Sequence, residues 1–176
     1  MSFVRFSFFF AHINVCLVVM NEHKLHDLSD GDIAKIVAEL NIPFFHGTPT
    51  KDRLPLQPQY GWWIVNMQSH DEGDKQGTHW VFVGVLHDDQ AVYFDSFGQA
   101  MPDNIHWFLR GKQLSINHDI FQDIRSELCG YFCLYVALRM FKDNVPFHTI
   151  INELRQQSPQ ENDTFLTTFF SQFHLF

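Results

Sequence analysis

The sequence is poor in cysteine and in basic residues. Its 176 residues include three cysteines, and 12 Lys and Arg residues stand against 20 Asp and Glu residues, for a net charge of −8. So few cysteines, in an odd number, do not suit the disulfide framework of a small secreted domain and favour a reducing compartment. Because the chain has no basic run, avid nucleic-acid binding is not expected.

The sequence also lacks pairs of cysteine and histidine residues at the spacing typical of metal sites. The 11 histidines are dispersed, and the chain has no Cys-x-x-Cys or His-x-x-x-His pair accompanied by a second pair of ligands. Structural zinc sites usually combine four such ligands in two close pairs. We therefore expect neither a metal ion nor another cofactor.

The amino-terminal apolar run is too short and too polar to cross a membrane. Residues 3–20 contain basic, imidazole and amide side chains, whereas a span needs about 20 apolar residues. A signal peptide would end in a small-residue cleavage site, which does not follow. We expect translation to start at Met20, with residues 1–19 an upstream extension or a packed extra strand. By domains, 1–20 is an apolar extension and 21–176 a single domain. A targeting or membrane role for the extension is the alternative.

The chain is rich in apolar residues arranged in short elements. Hydrophobic residues make up 45% of it and include 20 phenylalanines, which indicates a packed core. Capping residues, prolines and apolar spacing predict helices at 29–42, 103–109, 130–142, 146–156 and from 159 onward, and strands at 61–67, 78–86, 91–95 and 113–117. This order is typical of an α+β fold.

Cys129 stands where a polar stretch gives way to an apolar helical segment. Free backbone N–H groups and the dipole at a helix start favour a thiolate. Cys133, one turn further along, has apolar neighbours and is expected to be an inert core thiol. Taken alone, Cys129 is better explained by packing, so its candidacy as a nucleophile depends on its partners.

The sequence predicts these partners in two places: a hairpin that carries His79 and Asp95, and the amide of Gln122 ahead of Cys129. A tight turn at residues 87–90 joins two strands, so His79 and Asp95 come to the same end of the sheet. An imidazole oriented by a carboxylate is the general base that a cysteine nucleophile needs. Gln122, seven residues before Cys129, offers a neutral N–H donor that can share oxyanion stabilisation with the Cys129 backbone N–H.

On three ordered motifs the chain resembles the adenovirus maturation protease family, the adenains. The motifs are Gly-Thr-His-Trp at 77–80, Tyr-Phe-Asp-Ser-Phe-Gly at 93–98, and Gln122 separated by six residues from Cys129. The sequence is more similar still to adenain relatives in Maverick/Polinton elements, virophages and other large DNA viruses. The similarity covers residues 29 to about 140. Proteases of ubiquitin-like proteins in the same superfamily typically have five residues in that gap. The six residues here favour a relative of the adenains.

The resemblance implies a papain-like α+β arrangement in permuted order. It predicts a mixed central sheet and a nucleophile at the start of a buried central helix. His79 would be the base, Asp95 its orienting acid, Gln122 the oxyanion donor and Cys129 the nucleophile. The expected activity is cleavage of viral precursor (capsid) proteins after glycine-containing sites during virion maturation, in the virion and in the infected cell.

The resemblance also bears on substrate contacts and partners. Trp80, with Gly77 nearby, is expected to wall a narrow channel for a glycine-rich substrate strand. Adenain is basic and uses DNA as a cofactor, whereas this acidic chain is not expected to do so. Adenain also tethers an activating peptide through a disulfide. An activating peptide remains an option here, but without such a tether unless Cys16 serves, because the chain has no cysteine between Cys16 and Cys129.

Two other functions compete with this interpretation. A protease that removes ubiquitin-like modifiers from host proteins would need an extended surface for a folded modifier, and the chain offers little extra sequence to build one. A degenerate relative that only binds would be expected to have lost at least one of the four catalytic residues, yet all four are present.

Overall fold

The computed structural model describes residues 25–72, 79–87 and 89–173. In these ranges the chain forms, in order, α1 (Asp30–Glu39), β1 (Gly61–Asn66), β2 (Trp80–Val85), β3 (Gln90–Phe94), α2 (Asp103–Phe108), β4 (Gln113–Ile116), α3 (Cys129–Ala137), α4 (Phe147–Leu154) and α5 (Pro159–Ser171). The α+β class and the element order predicted from the sequence are confirmed. The predictions for residues 1–20 and for Gly77 lie outside the described ranges.

Two helices start where their sequences predict because both carry a capping box. The Ser29 hydroxyl accepts from the Asp32 N–H, and the Asp32 carboxylate accepts from the Ser29 N–H. Ser158 and Glu161 repeat this arrangement ahead of α5, with Pro159 in the first turn. The caps satisfy backbone donors that a helix start leaves without partners.

The strands form one mixed sheet in the order β1-β2-β3-β4. The first two pairings are antiparallel, and β4 runs parallel to β3. One face packs against α3 and includes Trp62, Phe82 and Phe94, while the other packs against α2 through Ile105 and Phe108. Covering both faces explains why β2 is buried along its whole length.

Helix α3 crosses the sheet as a fully buried element. All nine of its residues are buried, as expected for a helix that is apolar on every side. It begins at Cys129, one residue before the predicted start, and continues as a π-helical segment over Leu138–Lys142. The apolar pattern predicts the helix but not the change in helical winding near its end.

Strand β2 is shorter than the sequence predicts. It begins at Trp80 rather than at residue 78, so His79 lies just ahead of the strand. The predicted loop at 46–60 also makes an isolated parallel bridge to the sheet edge, between Thr50 and Asn66. Among the described residues, no helix is both long and apolar enough to cross a membrane.

Gly98 closes the turn after β3, and we expect Gly98→Ala to destabilise the fold. Its φ of +64° is costly for other residues, and an added Cβ would lie 2.7 Å from the His118 carbonyl oxygen. Gly111 is the matched control, because its φ is +80° but nothing lies within 4 Å of an added Cβ. Urea unfolding should show a loss of about 1 kcal/mol for Gly111→Ala and about 2–4 kcal/mol for Gly98→Ala. Equal losses would mean that the close approach adds no cost.

Candidate active site

His79 and Asp95 meet at the end of the β2–β3 hairpin. The pairing of Phe82 with Phe94 sets the register, and continuing it places Asp95 diagonally across from His79 on the same face of the sheet. Their side chains touch, with His79 Nε2 2.9 Å from Asp95 Oδ1. This oxygen also accepts the Phe97 N–H at 2.8 Å, which fixes the carboxylate. The encounter predicted from the sequence is observed.

The pKa of His79 is raised because its partners outweigh its burial. Burial alone would lower the pKa, but hydrogen bonding and negative charge from Asp95 and Cys129 raise it from 6.5 to about 9. Because Asp95 occupies Nε2, the nitrogen left for the thiol is Nδ1. Nδ1 is buried and makes no hydrogen bond of good geometry among the described residues. Contacts of this kind are often loose until substrate binds.

Cys129 lies at the first position of α3 and is only 5% exposed. The helix start lies close to this end of the sheet, because a Cβ added to Gly130 would lie 3.5 Å from the ring of Trp80, the residue after His79. Cys129 also helps to raise the pKa of His79. Cys133 differs in each respect: it is fully buried, its Sγ donates to the Trp80 carbonyl at 3.5 Å, and burial raises its pKa well above the usual value. The geometry therefore places Cys133 in the core and Cys129 at the helix start, and the role of Cys129 as nucleophile stays a prediction.

Gln122 is buried, and both ends of its amide are hydrogen-bonded. Its Oε1 accepts from the Ser96 hydroxyl at 2.6 Å, and its Nε2 donates to the Ser126 carbonyl at 2.8 Å. An amide nitrogen carries two hydrogens, so one remains for a further acceptor. Oxyanion donation by Gln122 stays a prediction, and the second hydrogen is the one that would serve it.

Asn117 is a site residue that the sequence does not single out. It is almost fully buried at the end of β4, where its Oδ1 accepts from the Asp95 N–H at 2.9 Å and its Nδ2 donates to the Asp95 carbonyl at 2.7 Å. The side chain thus continues the pairing of β3 and β4 by one step and clamps the Asp95 backbone. Its position at the end of a predicted strand gives no sequence signal for this role.

Trp80 lies beside His79 in the chain, but its ring packs into the protein. The residue is 3% exposed, and its indole N–H donates to the Leu28 carbonyl at 2.9 Å. A Cβ added to Gly130 would lie 3.5 Å from the ring, so the ring supports the start of α3. A ring so deeply buried leaves little surface for a substrate, which does not favour the predicted channel wall.

Within the described ranges, no group of three or more His, Cys, Asp and Glu side chains is arranged to hold an ion. The chemistry that these residues offer is that of a thiol, an imidazole, a carboxylate and an amide.

Comparison with known proteins gives structural neighbours only. No protein-family model matches the chain, and no curated protein sequence matches it. Solved structures that share its fold include the following two. ChlaDub1 from Chlamydia trachomatis has a TM-score of 0.56 and 14% identity, covering 85% of this chain and 92% of its own. The ASFV pS273R protease has a TM-score of 0.50 and 17% identity, covering 80% of this chain and 66% of its own.

The chain has the α+β fold of the papain-like cysteine proteases. The neighbours establish this architecture, and it agrees with the mixed sheet and the central helix that begins at Cys129. At these identities the likeness concerns the fold, so any activity has to be argued from the residues of the site.

Proposed function

We propose that the protein is a cysteine endopeptidase with Cys129 as its nucleophile. The observation that carries this proposal is the hydrogen bond that fixes the His79 imidazole. Its Nε2 lies 2.9 Å from Asp95 Oδ1, which leaves the buried Nδ1 for the Cys129 thiol at the start of α3. A thiol at a helix start beside an imidazole fixed by a carboxylate meets the requirements for nucleophilic catalysis.

Before acylation, the proton of the Cys129 thiol has passed to His79, which leaves a thiolate and an imidazolium. The Cys129 sulfur attacks the carbonyl carbon of the scissile peptide bond, and the carbonyl π electrons move onto oxygen. The Cys129 backbone N–H and the second Gln122 N–H stabilise this oxyanion. The imidazolium then gives its proton to the leaving amine, the C–N bond breaks, and the carbonyl re-forms as a thioester.

Deacylation uses the same groups with water as the nucleophile. Neutral His79 takes a proton from water, the hydroxide oxygen bonds to the thioester carbon, and the oxyanion forms again. The carbonyl then re-forms as the C–S bond breaks, and the thiolate and imidazolium are restored. Asp95 keeps the ring oriented through both halves and stabilises its charged form.

The proposed substrates are viral precursor proteins cleaved at glycine-containing sites. This finer assignment rests on the resemblance of the motifs around His79, Asp95 and Cys129 to the adenain family. The protein would act in the virion and in the infected cell, in a reducing compartment. We do not expect DNA to activate it, because acidic residues outnumber basic ones by 20 to 12; an activating peptide is a further proposed partner.

The segment that joins Gln122 to Cys129 borders a groove and carries exposed apolar side chains. A groove of about 520 Å³ opens beside Leu128, between loop residues 125–128 and the threonine-bearing side of α5. Ile120 and Ile124 flank Gln122 and are 62% and 86% exposed. Exposed apolar side chains and a groove on the segment that leads to the nucleophile support a polypeptide substrate.

The alternative is removal of ubiquitin-like modifiers from host proteins, and substrate profiling separates the two. A peptide library and intact ubiquitin-like precursors would be offered to the same enzyme preparation. We expect cleavage of short glycine-containing peptides with a kcat/KM at least as high as that for any folded precursor. A preference for a folded modifier would replace the maturation protease with the alternative. Failure to cleave either kind would contradict the peptidase proposal itself.

Gln122→Glu tests the oxyanion assignment. The carboxylate would put negative charge where negative charge develops, and its oxygen would face the Ser126 carbonyl in place of an N–H donor. We expect kcat to fall about 10²–10³-fold, as when an oxyanion donor is lost. Gln113→Glu makes the same charge change at an exposed position of β4 and should leave kcat unchanged. If the Gln122 variant kept its rate, Gln122 would not be part of the mechanism.

A further inference from the structure

Ser96 connects the two halves of the candidate site. It follows Asp95 directly, is fully buried, and its hydroxyl lies 2.6 Å from Gln122 Oε1. Its carbonyl accepts the backbone N–H groups of Phe121 and Gln122 at 2.8 and 3.2 Å. The chain that carries Gln122 is therefore held against the end of β3 through both the backbone and the side chain of Ser96.

The hydrogen bonds at the two ends fix which way the Gln122 amide points. The Ser126 carbonyl can only accept, so it requires the N–H₂ end at 2.8 Å. The oxygen end then faces the Ser96 hydroxyl, which can donate to it. Without that hydroxyl, a buried acceptor would lose its donor, and the Ser126 carbonyl alone would hold the amide, which could then turn more easily about its last torsion.

We propose that Ser96 is a positioning residue for oxyanion stabilisation. Its hydroxyl holds the Gln122 amide so that the second Nε2 hydrogen stays directed at the oxyanion. Asp95 positions His79 and Ser96 positions Gln122, so two consecutive residues at the end of one strand set both sides of the reaction. The proposal rests on the peptidase function proposed above.

Two reagents distinguish this role from a merely structural one. The Cys129 sulfur bonds to the carbonyl carbon of a peptide aldehyde, and the carbonyl π electrons move onto oxygen, where the oxyanion donors stabilise them. The former thiol proton, held on His79, can then neutralise this oxygen. Iodoacetamide forms a C–S bond as iodide leaves, and no oxyanion develops. Aldehyde affinity therefore reports on Gln122, whereas the alkylation rate reports on the thiol and His79.

For Ser96→Ala we expect a selective loss. Aldehyde affinity and kcat should each fall about 10- to 100-fold. This loss should not exceed the one expected when an oxyanion donor is removed altogether. The rate of Cys129 alkylation should change by less than about twofold, and the pH profile should keep its shape. In a double-mutant cycle with Gln122→Ala, the losses should not add, because both substitutions remove the same oriented donor.

Controls make the test decisive. Ser29→Ala makes the same chemical change at the cap of α1, lowers stability, and should leave both reagents unaffected. If Ser96→Ala does not fold, Ser96→Cys keeps the size with a weaker donor and should show a smaller loss of the same selective kind. Equal losses with both reagents, or additive losses in the cycle, would overturn the positioning role. Wild-type protein that binds no peptide aldehyde would instead contradict the peptidase function.

Discussion

Cys129→Ala should abolish peptide hydrolysis while leaving the fold intact. The alanine removes the sulfur that forms the acyl-enzyme, and no other thiol in the described ranges interacts with His79. Removing the nucleophile from such a set costs more than about 10⁴-fold in kcat. The change is small at a position only 5% exposed, so circular dichroism and the unfolding midpoint should stay close to wild type. A peptide-release assay under reducing conditions measures the loss.

Cys133→Ser is the matched control for this prediction. Cys133 is fully buried and its Sγ donates to the Trp80 carbonyl, a role that a serine hydroxyl can take over. We expect most of the activity to survive, with about 1 kcal/mol lost in stability for burying a more polar group. If the Cys133 variant lost activity as fully as the Cys129 variant, the two thiols would have been assigned the wrong way round.

Local chemistry made much of the fold and the central pair of the site predictable. Ser29 and Ser158 begin capping boxes that depend on residues three positions away. The turn after β2 needs few residues, so the encounter of His79 with Asp95 follows from antiparallel pairing alone. The parallel pairing of β4 with β3, by contrast, depends on a crossover that no local pattern reports.

The site residues that could not be predicted from the sequence depend on contacts between distant segments. Asn117 clamps the Asp95 backbone across 22 residues, and Ser96 reaches Gln122 across 26. A lone serine or asparagine in a loop has many local uses, so its type and position do not indicate such a role. The burial of the Trp80 ring against α3 and Leu28 is likewise not reported by the sequence around His79, where Trp80 is predicted to contact substrate.

Asp95→Asn should shift the pH dependence of catalysis. In the wild-type protein the imidazolium of His79 persists up to its raised pKa of about 9, so kcat/KM should fall as pH rises through that value. The asparagine oxygen can still accept the His79 and Phe97 N–H groups, but the negative charge is gone. The pKa of His79 should fall, and the alkaline limb of the profile should move to lower pH by at least about one unit. Because neutral amides serve this role in other cysteine proteases, we expect about a 10- to 100-fold loss of kcat.

The His79–Asp95 pair should also affect how the free energy of unfolding depends on pH. A histidine with a raised pKa stabilises the fold fully below its unfolded value of 6.5, and this contribution is lost as pH rises through about 9. The free energy of unfolding of the wild-type protein should therefore decline across that window, and Asp95→Asn should flatten the decline. Asp89→Asn is the matched control, since Asp89 lies at the opposite end of the hairpin and pairs with Lys112 at an exposed position. A decline of equal steepness in the Asp95 variant and the wild type would show that the carboxylate does not set the protonation of His79.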